Sequence, residues 1–346
     1  MQFKRLRSVK LLLGIIAILV VMIGWMIHQR ISSVTNQMTG NAHQSLPAKL
    51  RQEKPFTVLV MGTDVGALGR GTAYSGNTDT MELIAVNPQK QQVAMLAIPR
   101  DTLVKVSTKR GADYVKINAA YAIGGANQAK KQVSELLRVP VDYYALVNMG
   151  AMKKVVNAVG GVNVDNPFAF DYEGHHFKKG RQHLNGNQAL KYARMRYDDP
   201  NNDYGRQKRG QQVIQSAMQT FRKRGSLTTT NEILKATGDG VRTDLPVNNI
   251  SGLYWKYHSS LKRTRHRVLR FKDAEIQGTA FQIATVTELR KGSNFIRRAL
   301  GMESLSTIDN EETRLNHNQT TWNGYNQLQF SLPHGAKYNH PENDGE

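Results

Sequence analysis

Apolar residues in this chain fall into short, continuous runs early on and into spaced stripes later. Phe56–Met61, Met81–Val86 and Val93–Ile98 have the length and β-branched content of buried strands. Spaced apolar positions then predict a helix over Ala126–Arg138 through Ala129, Val133, Leu136 and Leu137, closed by Pro140 just beyond. Val141–Val147 reads as a strand and Met149–Val159 as a helix stopped by Gly160 and Gly161. Val162–Val164 reads as a short strand, and Asn166–His183 as a loop. Asn185 and Gln188 form the capping pair of a helix that ends in Arg194 and Arg196. After a polar loop, a longer helix is expected from near Arg206, with Val213, Ile214, Ala217, Met218 and Phe221 as its stripe and Gly225 as its cap. Asn231–Thr237 and Leu245–His258 read as helical, Arg267–Phe271 and Phe281–Ala284 as strands, and Thr285–Leu300 as a last helix. Alternating strands and helices predict a layered α/β fold.

The ends differ from this pattern. Met1–Lys10 carries Lys4, Arg5, Arg7 and Lys10 and no acid, and Leu11–Ile27 is apolar throughout. That run is longer than the apolar core of a cleaved signal and no small-x-small site follows it, which predicts a retained transmembrane signal-anchor. The basic flank predicts an N-terminus in the cytoplasm and the remainder outside. Residues 28–54 read as an extracellular linker, residues 55–300 as the main folded domain, and residues 301–346, rich in Asn, Gln, Thr and His, as a polar, mobile tail.

Charge then narrows the partner. The chain has 47 basic and 27 acidic residues, a formal net charge of +20. Most of the excess lies beyond residue 27, so the expected anionic partner is a membrane lipid or an anionic polymer outside the cell rather than nucleic acid. No helix-turn-helix or zinc pattern supports a DNA-binding attenuator. The absence of cysteine excludes disulfides, thiolate metal sites, a cysteine nucleophile and a lipid-modified cysteine anchor. His175 and His176 are adjacent and have no third ligand at zinc spacing.

The candidate chemistry sits at strand ends. Asp64 follows the first strand, Asp79 precedes the second, and Arg100 and Asp101 follow the third. Ligand groups gather outside strand ends in α/β sheets. Paired carboxylates there suit a hard cation, and an arginine beside them suits phosphate. The glycine-rich loop Val65–Tyr74 has no G-K-[ST] end and is not a Walker loop. Arg206 and Arg209 lie three apart, at the predicted first turn of their helix, where cations cost about 0.3–1 kcal/mol each. That local conflict points to a functional use.

The motifs V-L-V-M-G-T-D, N-T-D-T-M, V-N-P, A-I-P-R-D-T, K-I-N-A-A-Y, A-V-G-G-V, L-N-G-N-Q-A-L-K-Y-A-R-M-R and D-Y-G-R-Q-K-R follow one another in this order. In this the chain resembles the LytR-CpsA-Psr family of cell-wall glycopolymer ligases. The resemblance implies a three-layer α-β-α sandwich with a central mixed sheet and a long apolar pocket, on the outer face of a Gram-positive type membrane. It implies transfer of an anionic glycopolymer, such as wall teichoic acid or capsular polysaccharide, from an undecaprenyl-pyrophosphate carrier. The acceptor is a peptidoglycan muramic acid hydroxyl, and the new bond is a phosphodiester. By motif, Asp64 and Asp79 match the aspartates that hold Mg2+ (or Mn2+), and Arg100, Arg196 and Arg206 match arginines at the pyrophosphate. Asp101 is expected to orient Arg100, and Arg194 and Arg209 to join the substrate site. Gly210 stands where many relatives have Gln. No histidine falls in the motifs, so one of the aspartates is the candidate base. The same site with water as acceptor would be a hydrolase.

Overall fold

In a computed structural model of the chain, the described residues are 46–63, 76–78, 80–108, 111–195, 199–200, 202–224, 232–233, 240–246, 249–276, 278–315 and 328–329. A short helix α1 (Ala48–Arg51) leads into β1 (Phe56–Thr63), β2 (Thr80–Asn87) and β3 (Gln92–Ile98). A hairpin of β4 (Leu103–Thr108) and β5 (Gly111–Lys116) precedes helix α2 (Ala119–Leu137), β6 (Tyr143–Asn148) and helix α3 (Met149–Ala158). A small lobe follows: β7 (Val162–Asn166), β8 (Phe170–Tyr172), β9 (His175–Phe177), β10 (Gly180–Leu184) and helix α4 (Gly186–Arg194). The long helix α5 (Asn202–Arg224), β11 (Val241–Thr243) and helix α6 (Ile250–Tyr257) come next. A 3-10 turn (His258–Lys262) joins α6 to β12 (Arg263–Val268), β13 (Lys272–Ile276) and β14 (Thr279–Ile283). Helices α7 (Val286–Leu300) and α8 (Glu311–Leu315) and strand β15 (Leu328–Gln329) complete the described elements.

Six strands form a mixed central sheet in the order β11-β6-β1-β2-β3-β12. β1, β3, β6 and β12 run one way and β2 and β11 the other. Strand alternation sends Leu59, Met61, Met81, Leu83, Leu96 and Ile98 to one face, where they pack with α2 and α7 through Val133, Leu136, Leu289 and Ile296. The opposite face, with Val60, Glu82 and Ile84, is covered by α5. Helices on both faces of a mixed sheet give the layered α/β arrangement predicted from the alternation of elements.

The strands of the opening runs, the Asn185–Gln188 capping box and the last helix stand as read, the last capped by Thr285 and Gly301. Other expectations are corrected. The folded unit begins before residue 55, because Leu46 and Leu50 are buried with Phe56, Leu253 and Tyr257. It also continues past residue 300: Ile308 joins the main core, Asn310 Nδ2 donates to Leu136 O (2.9 Å), and Leu328–Gln329 pairs with Ala274–Glu275. Residues 301–315 are therefore packed, not a loose tail. The expected loop Asn166–His183 is a hairpin plus a strand, β10 pairing with β7 around Phe170 and Phe177. The helix read from Ala126 begins at Ala119 and breaks at Gly124 and Gly125, the latter at φ 68°. The helix read from Leu245 begins at Ile250. Residues 11–27, the Val65–Tyr74 loop, Gly225 and most of Asn231–Thr237 lie outside the described residues. Among the described residues no helix is long and apolar enough to cross a membrane.

Candidate functional site

One end of the central sheet gathers Arg100, Asp101 and the helix turns that carry Arg206. Gly62 pairs with Thr80, and Met81 pairs with Ile98. The exits of β1 and β3 and the entrance of β2 are therefore neighbours, each about 4.8 Å from the next. Asp64 follows that β1 exit and Asp79 precedes that β2 entrance, but both residues, like Arg196, lie outside the described residues. Arg100 and Asp101 stand two and three residues beyond β3. The approach of β1 to β2 needs a glycine: a Cβ on Gly62 would meet Thr80 Oγ1 at 2.3 Å.

The K-I-N-A-A-Y motif has a clear job here. Asn118 N donates to Arg100 O (3.2 Å), and Thr78 N donates to Asn118 O (3.3 Å). Ile117 N donates to Thr102 O (2.8 Å), and Gln282 N to Asp101 O (2.9 Å). Backbone bonds thus lock the Arg100 turn to the residue that precedes Asp79. Asn118 was not a candidate in the sequence, since its role is carried by backbone atoms. The side-chain oxygens of Thr63, Thr78 and Asn118 are buried at this end and accept no hydrogen bond among the described residues.

Asp101 lies between two cations. Its Oδ1 accepts from Lys116 Nζ at 2.9 Å, while Oδ2 is 3.7 Å from Arg100 Nε. The second distance is an ion pair rather than a hydrogen bond. Lys116, which also stands 5.4 Å over the Phe281 ring, is the firmer partner.

Helix α5 brings Arg206 to the same end. Gln211 Nε2 donates to Glu82 Oε1 (2.7 Å) and to Arg267 O (3.1 Å), pinning the helix near the upper part of β2. Ten residues later Phe221 meets Tyr254, on the α6 side that packs under Phe56 at the start of β1. The helix therefore runs down the sheet, with its N-terminal turns and the half-buried Arg206 at the Thr63, Thr80 and Arg100 end. A helix N-terminus there adds to the field that favours an anion.

Two arginines are corrected by their surroundings. The helix starts at Asn202, so Arg206 and Arg209 lie beyond its first turn and escape the full cost of a cation at the terminus. Arg209 is only 3% exposed and is ion-paired with Asp199. Its Nε also donates to Tyr192 O (3.0 Å), and Nη2 donates to Met195 O. It clamps the connection that carries Arg196 onto α5 and does not stand open to a substrate. Gly205 makes room for this clamp, because a Cβ there would lie 1.8 Å from Asp199 Oδ2. Arg194 pairs with Glu173 at 3.0 Å, on the turn between β8 and β9, and so braces the small lobe.

Glu82 is the residue that sequence reasoning missed. It lies in an otherwise apolar strand, and burial pushes its carboxyl up to about 7 against the opposing hydrogen bond from Gln211. The available signal was a lone carboxylate inside Met81–Val86. Gly210, next to Gln211, has open space: a Cβ there would meet nothing within 4 Å.

Comparison with known proteins bears on this arrangement. The model of the LytR_cpsA_psr family matches residues 22–295. The biofilm regulatory protein A of Streptococcus mutans is 34% identical over 302 residues, covering 84% of this chain and 74% of that protein. The polyisoprenyl-teichoic acid–peptidoglycan teichoic acid transferase TagU of Enterococcus faecalis is 38% identical over 232 residues, covering 67% of this chain and 73% of its own. The crystal structure of protein gbs0355 from Streptococcus agalactiae superposes with a TM-score of 0.71 at 34% identity, covering 78% of this chain and 95% of that one.

Proposed function

The chain belongs to the LytR_cpsA_psr family, and on that premise we propose that it is a transferase of the cell envelope. It moves a phosphate-linked anionic glycopolymer, of the teichoic acid class, from a polyprenyl-pyrophosphate carrier to a peptidoglycan muramic acid hydroxyl. The observation that carries this reading is the convergence at one sheet end of the Thr63 and Thr80 backbones, Arg100 and the N-terminal turns of α5 with Arg206. The name of the E. faecalis relative supports the substrate class.

A pyrophosphate carries several anionic oxygens, and Arg offers a planar fork to each phosphate. Arg100 and Arg206 hold those oxygens as charge shifts toward the leaving phosphate. Arg196, five residues before the end of the connection that Arg209 clamps to α5, is expected to join them. Half-buried Val60 and Ile84 lie on the sheet face that α5 covers, and half-buried Ile214 and Met218 share the Gln211 side of that helix. On this reading the polyprenyl tail lies between these two apolar faces. In the transfer, the acceptor hydroxyl loses its proton to Asp64 or Asp79 and its oxygen bonds to the sugar-side phosphorus. The P–O bond to the distal phosphate breaks, and the carrier leaves as polyprenyl phosphate.

The donor set also fits a hard divalent cation. Asp64 and Asp79 flank Thr63 and Thr78, whose buried hydroxyl oxygens have no hydrogen-bond partner among the described residues, and all are oxygen donors of the kind magnesium takes. When bound, Mg2+ or Mn2+ would offset the negative charge of the pyrophosphate. The reading includes residues 11–27 as a retained anchor with the catalytic domain outside. Mass spectrometry of the chain purified from membranes tests these parts together: co-purified polyprenyl pyrophosphate and one divalent ion are expected, and a lipid-free, metal-free protein that stays so after incubation with both would count against them.

A further inference from the structure

The end of the sheet opposite the site has a second surface. β1 begins there at Phe56, β2 ends there at Asn87, and Arg263 pairs with Gln92. Gln89 Nε2 donates to Glu53 O (2.9 Å) and Lys262 Nζ to Gln91 Oε1 (3.1 Å), so the segments join into one face. Trp255 is 64% exposed on this face, the exposed large hydrophobic side chain among the described residues. Its indole meets Tyr254 at 5.4 Å and His258 at 6.0 Å, and the Tyr254 and His258 rings stack at 5.3 Å. Arg51, Lys54, Lys256, Lys262 and Arg263 lie on the segments that meet at this end, with Lys90 at its edge, where it donates to Arg298 O; the acids there are paired, Glu53 with Lys256 and Asp142 with Lys49.

The chain outside the described residues arrives at this face. Residues 1–45, with the apolar run Leu11–Ile27, lead into Leu46 and Leu50, which are buried against Leu253 and Tyr257 of α6. Tyr257 Oη also donates to Lys54 O (2.9 Å). An exposed Trp beside Tyr and His, rimmed by lysines and arginines, is the composition that partitions into the head-group layer of an acidic bilayer. We propose that Trp255 and its basic rim are a membrane-contact surface, which seats the domain on anionic phospholipid with the sheet standing away from the bilayer. Seven steps of β1 then hold the catalytic end about 23 Å above the lipid surface. The proposal rests on the anchor reading above and adds the orientation of the domain.

The lack of native cysteine makes a direct test possible. The full chain carrying Ser259→Cys, labelled with an environment-sensitive fluorophore, is reconstituted into phosphatidylcholine vesicles with and without phosphatidylglycerol. The expected result is a blue-shifted emission, quenched by head-group spin label, in the phosphatidylglycerol vesicles only. High salt or an added Trp255→Ala should weaken it severalfold, and a label at the exposed Lys179→Cys should stay solvent-like. A chain that floats with the vesicles while the label at 259 stays solvent-like overturns the docking surface and leaves the anchor standing. A chain that does not float overturns both. A shift that grows with protein concentration in detergent means that a second copy covers the face, which also overturns the proposal.

Discussion

Glu82 on the strand that leaves Asp79 and Gln211 on the helix that carries Arg206 are joined by a 2.7 Å hydrogen bond inside the protein. This bond ties the carboxylate strand to the arginine helix a short distance below the site. It also places a carboxyl with a pKa of about 7, raised from the ordinary 4.5, in the interior.

A raised carboxyl favours the protonated form in the folded state. Its stabilising effect is complete below pH 4.5 and is lost as pH rises to about 7, at a cost on the order of 3 kcal/mol. Glu312, also buried and raised to about 7, adds a loss of the same sign in the same window. Thermal unfolding between pH 5 and 8 should therefore show falling stability. Glu82→Gln should reduce the slope without removing it and should raise stability at pH 8. A Glu82→Gln protein with the wild-type slope would show that Glu82 does not titrate there.

The Arg209 clamp gives a second expectation. Arg209→Ala leaves Asp199 and two backbone carbonyls without their buried donor, which should cost about 3–5 kcal/mol. Arg206→Ala, on a half-buried side chain of the site, should leave unfolding nearly unchanged while removing activity. Chemical denaturation of both variants, set beside activity, separates the two roles. Equal stability of the two would return Arg209 to the substrate site.

The sequence exposed the strands that frame the site because each is a dense β-branched run. It hid what depends on distant partners. Nothing near Arg209 announces that Asp199, across a connection, will bury it. The β4–β5 hairpin reads L-V-K-V-S-T and A-D-Y-V-K, where polar residues break up the apolar run. Leu46, Leu50 and Ile308 are single apolar residues in polar stretches, too sparse for a period, so the sequence pattern places both domain ends inside their true limits. The start of α5 is hidden for a related reason: Asn202 and Asp203 serve turns as readily as helix starts.

Gly210 tests whether this chain lacks a phosphate contact. Open space around it admits a glutamine one turn after Arg206. Gly210→Gln should raise helix stability by less than the roughly 0.8–1.0 kcal/mol that separates Gly from Ala and tighten binding of polyprenyl pyrophosphate, read by thermal shift with and without the lipid. Greater stability with weaker lipid binding would mean that the glycine makes room for a different head group.

The metal assignment rests on Asp64 and Asp79. Asp79→Ala should abolish transfer and the rise in Tm produced by magnesium together with lipid pyrophosphate. Unchanged activity and an unchanged magnesium response would remove Asp79 from the metal site.

The most direct test follows the phosphate. The full chain in detergent is given a polyprenyl-pyrophosphate glycan, peptidoglycan fragments and magnesium, and the products are identified by phosphorus NMR and mass spectrometry. The account predicts a phosphodiester between glycan and muramic acid, released polyprenyl phosphate, and loss of most activity in Arg100→Lys, because an ammonium cannot reproduce a bidentate contact. Free glycan phosphate formed at one rate with or without the peptidoglycan fragments would contradict it and make the protein a hydrolase.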